Sequence, residues 1–106
     1  MRAAVKCYEW DAIASDDEPA TLVMHVGPID APGEDLFTVS VCTPEALAKL
    51  IDRDGALIGR HFLFVSHIDR ARIESFVDDR LRRIDGETWS DLAAKIGRIG
   101  RWEFEP

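Results

Sequence analysis

Residues Leu36 to Cys42 alternate strictly, with Phe37, Val39 and Val41 on one face and Thr38, Ser40 and Cys42 on the other. A period of two over this length is a β-strand with one dry face. The next three residues, Thr43-Pro44-Glu45, start a helix: a hydroxyl N-cap, proline at the first helical position and a carboxylate in the first turn. A strand that hands over to a helix within one residue belongs to folds that pack helices against a sheet.

The rest of the chain divides by the same two periods. Ala3–Trp10 reads as a first strand, with Val5 and Cys7 sharing a face. Asp11–Pro19 is a loop, and Thr21–Val26 is a second strand in which Leu22, Met24 and Val26 alternate with Thr21 and His25. Pro32-Gly33 suits the centre of a type II turn, so strands two and three form a hairpin around an acidic loop. Leu47, Leu50 and Ile51 make the apolar stripe of the first helix, which Asp54-Gly55 stops. His61–Val65, apolar on both faces, reads as a central strand covered on both sides. A helix capped by Asp69 and running to about Ile84 carries the stripe Ile73, Phe76, Val77, Leu81 and Ile84. It places Asp78 with Arg82, and Asp79 with Arg83, at ion-pair spacing. Thr88 and Asp91 open a third helix, with Trp89, Leu92, Ala93 and Ile96 on one side and Gly97 at its end. Arg101–Glu105 alternates as a closing strand, with Trp102 and Phe104 on one face. The order β-β-β-α-β-α-α-β predicts one α+β domain over residues 1–106, an antiparallel or mixed sheet of about five strands with three helices.

Charge narrows the function. The 106 residues carry a net charge of −7. Residues 1–59 hold four basic and eleven acidic side chains, whereas residues 60–106 hold nine of each, so the whole excess lies in the first half. Such a surface repels nucleic acid and anionic membranes and attracts basic proteins. No apolar run is long enough to span a bilayer. The charges at Arg2 and Lys6 interrupt any signal-peptide core, so the expected compartment is the cytoplasm, with Cys7 and Cys42 reduced.

No pattern of catalytic residues stands out. His61 and His67, placed on one strand, would lie about 20 Å apart, too far to share a metal. His25 could approach either across strands but would still need a third ligand. Cys7 and Cys42 read as small buried apolar residues, and there is neither a serine elbow nor a phosphate-binding glycine loop. No cofactor is implied. Trp10, at the end of a strand beside the acidic loop, suits both partial burial and partner contact. The carboxylates fall into two groups, Asp11, Asp16, Asp17 and Glu18, then Asp30, Glu34 and Asp35, which simple hairpins would place at opposite ends of the sheet. These residues leave open a binding protein, a small hydrolase or transferase using Cys42 or a histidine, and an assembly or ligand-sensing subunit.

Several stretches, in order, resemble the immunity protein 8 family of bacterial polymorphic toxin systems. They are Val41-Cys42-Thr43-Pro44, Gly59-Arg60-His61-Phe62-Leu63, Gly86-Glu87-Thr88-Trp89 and, most specific, Ile99-Gly100-Arg101-Trp102-Glu103-Phe104-Glu105, with Gly27-Pro28 before an acidic loop. The resemblance implies a cytoplasmic α+β protein that binds and neutralises a cognate toxin without chemistry of its own. Where the toxin is a nuclease its cleft is basic, and an acidic inhibitor can fill it in place of phosphates. The residues expected to make that contact are Trp10, Asp16, Asp17, Glu18, Asp30, Glu34 and Asp35.

Overall fold

The computed structural model describes residues 1–11 and 15–106; of the loop expected at Asp11–Pro19, Ala12, Ile13 and Ala14 lie outside the described residues. Strands β1 (Ala3–Trp10), β2 (Ala20–Pro28) and β3 (Asp35–Cys42) precede helix α1 (Pro44–Asp54). Strand β4 (Phe62–Phe64), helices α2 (Arg70–Arg82) and α3 (Trp89–Ile96) and strand β5 (Arg101–Trp102) follow. The element order and the mixed five-stranded sheet agree with expectation. β1, β2 and β3 pair antiparallel in sequence order. The far edge of β3 is shared: β4 runs parallel to Ser40–Cys42, and β5 runs antiparallel to Phe37–Thr38.

The β2–β3 register puts Leu22, Met24 and Val26 beside Val39, Phe37 and Asp35 on one face. The apolar residues of that face are fully buried, together with Ile73, Val77 and Leu81 of α2 and Leu92, Ala93 and Ile96 of α3. Both helices therefore cover the same face. Their starts follow the sequence signals: Asp69 accepts from the Arg72 N–H and Thr88 from the Asp91 N–H. At the β2–β3 turn Gly33 has φ 100°, a left-handed conformation suited to glycine. The turn folds back so tightly that a Cβ on Gly27 would stand 2.0 Å from the Gly33 carbonyl oxygen.

Four expectations need correction. β4 is no central strand: it is a three-residue edge strand, and Phe64 is 54% exposed. Its two-sided apolarity comes from Phe62 and Phe64 stacking on each other at 5.8 Å. His61 has φ 60° just before it, and His67 lies beyond its end, so the two histidines share no strand. In α2, Phe76 is half-exposed under Arg80 rather than in the core. Asp79 meets Arg82 one position earlier than expected, and Asp78 turns to Tyr8. The closing strand stops at Trp102; Glu105 N–H bonds back to the Trp102 carbonyl, and Phe104 is left exposed, edge-on to Trp102.

The fourth correction concerns β1. Its register slips between Val5 and Cys7: Val5 pairs with Val26, but Cys7 pairs with His25. One extra residue, Lys6, makes this bulge, so Val5 and Cys7 point to opposite faces. Cys7 is consequently exposed, whereas Cys42 is buried as expected. Beyond the bulge Tyr8 and Trp10 join the helix-covered face, opposite Met24 and Leu22.

Candidate functional site

The two acidic groups flank β2, about 25–30 Å apart for a nine-residue strand. In the first group Asp16 is structural. Its carboxylate accepts from the Ile68 N–H at 3.0 Å and lies 3.4 Å from His67, while its carbonyl accepts the Thr43 hydroxyl. The β1–β2 loop is thus tied to the starts of both α1 and α2. Asp17 pairs with Lys49 of α1 at 3.3 Å, and Glu18 is exposed. In the second group one Asp35 oxygen accepts both indole N–H groups of Trp89 and Trp102, at 2.8 and 3.0 Å, on the covered face. Asp30 is exposed in the turn. Trp10 stands on the helix side, half-buried; its indole N–H donates to Glu74 at 2.9 Å, and Arg70 lies over its ring.

The other face of the sheet carries Cys7 and Glu9 of β1, Thr21, Val23 and His25 of β2, and Leu36, Thr38 and Ser40 of β3. His25 is held at both ring nitrogens, Nδ1 at 2.8 Å from Glu34 and Nε2 at 2.7 Å from Glu9. Glu34 first, then Glu9, raise its pKa above the ordinary value, against the lowering effect of burial. Only the imidazolium can donate to both carboxylates at once. Lys6, at the bulge, donates to the Ala31 and Gly33 carbonyls and so ties β1 to the β2–β3 turn. Burial pushes the Cys42 thiol up, which makes it a poor nucleophile.

The model of the family described as Immunity protein 8 matches residues 4–106, from β1 through the C-terminus. The chain belongs to the immunity protein 8 family. No curated protein and no solved structure matches it. Among the described residues no helix is long and apolar enough to cross a membrane.

The stretches that carried the immunity protein 8 resemblance are fold determinants in this structure. Thr43 caps α1 and Pro44 is its first residue. His61 takes the left-handed turn into β4, with its ring on the Gly97 carbonyl. Thr88 caps α3, and Trp102 closes the sheet against Phe37. The feature that sequence reasoning missed is the grouping of Cys7 with Glu9 and His25. Strict alternation turns Cys7 inward, and only the bulge at Lys6 turns it out. The available signal was a change of phase: the large apolar residues move from Val5 to Tyr8 and Trp10, and strict alternation would put the charge of Glu9 on the face of Val5.

Proposed function

We propose that this immunity protein binds a cognate toxin in the cytoplasm and silences it by covering a basic active site, such as a nuclease cleft, with an acidic surface. It acts by contact, without chemistry or cofactor of its own. Family membership supports the immunity role. The observation that carries the electrostatic part is the confinement of the whole −7 charge to residues 1–59. The carboxylates we assign to that contact are Asp17 and Glu18 at one end of β2 and Asp30 and Glu34 at the other. Asp16 and Asp35 hold those ends in shape, and Trp10 is the aromatic contact beside the first. Charges so placed act mainly on encounter rate.

Two double variants that spare Asp16 and Asp35 test this reading: D17K/E18K and D30K/E34K, mixed with the toxin encoded beside the protein. At least one is expected to slow association about tenfold at low salt and to flatten its salt dependence. Unchanged rates and salt slopes in both would overturn the acidic-surface mechanism. Failure of the unaltered protein to rescue cells from the toxin would overturn the function itself.

A further inference from the structure

The open sheet face holds a group of side chains outside the toxin contacts proposed above, with which its surroundings share only Glu34. The thiol of Cys7, the carboxylate of Glu9 and the imidazole of His25 each offer one donor atom, all within 4.8 Å of one another. We propose that Cys7, Glu9 and His25 form a surface site for a borderline-soft divalent cation, Zn²⁺ above all, with Glu34 orienting the imidazole and a fourth position open to water.

The donors are one sulfur, one nitrogen and one oxygen, a mixture that suits zinc and disfavours calcium or magnesium. Tetrahedral zinc with such bonds needs donor atoms about 3.3–3.6 Å apart. The three atoms already lie within 4.8 Å of one another, and the 2.7 Å contact between Glu9 and His25 must open for a cation to enter. The backbone beneath is fixed, because Cys7 stands directly across from His25 in the β1–β2 ladder and Glu9 is two residues along the same face. Glu34 supplies the outer partner that a metal-bound histidine ordinarily has. Its carboxylate on Nδ1 keeps the proton there and leaves Nε2 for the metal. Entry is unobstructed: Glu9 is 61% exposed along its side chain, and Cys7 is exposed. Binding exchanges the Cys7 thiol proton and the Nε2 proton for the cation, both protons passing to solvent.

The test uses the reduced 106-residue chain and Co²⁺ as a spectroscopic probe, then Zn²⁺ as competitor. Expected is one Co²⁺ per chain with a thiolate-to-cobalt charge-transfer band, erased by an equivalent of Zn²⁺. C7S should lose the band, and H25Q should weaken binding about tenfold or more. E34A should keep the band but weaken binding about 10–100-fold, because Cys7 still ligates while the Nδ1–H has lost its acceptor. C42A, which alters only the buried thiol, should bind as the parent does. Circular dichroism checks that each variant is folded. No charge-transfer band at a tenfold excess of Co²⁺, or affinity unchanged in C7S and H25Q, would overturn the site. Unchanged affinity in E34A would remove Glu34 from it. None of these readouts involves the toxin, so they stand or fall separately from the proposed function.

Discussion

Tyr8 shows how one side chain fastens β1 to α2. Its hydroxyl donates to the Asp78 carboxylate at 2.5 Å and also approaches the Glu74 carbonyl at 3.0 Å. Burial first, then the bond to Asp78 and the charges of Asp78 and Glu74, push the phenol far above its ordinary value of 10.0. Y8F should therefore cost about 1–2 kcal/mol in urea unfolding at neutral pH, since a charged acceptor loses its donor while half-buried. A group whose pKa is raised by folding contributes fully below its unfolded value, and that contribution is lost as pH rises from there toward the folded one. The difference between Y8F and the parent should hence shrink above pH 10. Tyr8 is the only tyrosine in the chain, so no other phenol obscures that comparison. Neither partner of this contact was legible beforehand: i,i+4 spacing assigned Asp78 to Arg82, and nothing local points a helix carboxylate at a strand tyrosine.

Among the elements, α1 departs most from what its pattern implies. It has a well-formed start, with the Thr43 hydroxyl accepting from the Ala46 N–H, and Gly55 with φ 80° at its end. Yet Ala46 is its one buried residue, and Ile51 is 44% exposed. α2, by contrast, buries Ile73, Val77 and Leu81 against the sheet. An element held mostly by its caps opens more readily than one held by core side chains. In native-state hydrogen exchange, α1 amides should show at least about tenfold less protection than those around Val77, which is about 1.4 kcal/mol of opening free energy. Equal protection in the two helices would show that α1 is docked as firmly as α2. The caps of all three helices were readable because Thr43, Asp69 and Thr88 act through bonds to residues three positions on. How deeply each helix packs was not, because Leu47, Leu50 and Ile51 form an apolar stripe whether or not anything covers it.

At the scale of the whole molecule, the sequence conveyed the order of elements and the inner residues of β2 and β3, where alternation runs unbroken. It could not convey that β4 and β5 divide one edge of β3, since pairing between residues 40 and 62, or 37 and 102, leaves no local trace. The placement of both acidic groups at opposite ends of β2 was legible from hairpin connectivity. The inward roles of Asp16 and Asp35 were not. The least legible feature was the extra residue in β1, and it bears on how that strand can change in length. Lys6 is the supernumerary position, so removing it would leave Val5 and Tyr8 on the helix side and Cys7 and Glu9 opposite, as they are now. Removing Tyr8 or Glu9 instead would turn neighbouring residues of the strand to the wrong face. In β1, the frame thus survives a deletion only at the bulge, where losing Lys6 also severs its bonds to the Ala31 and Gly33 carbonyls.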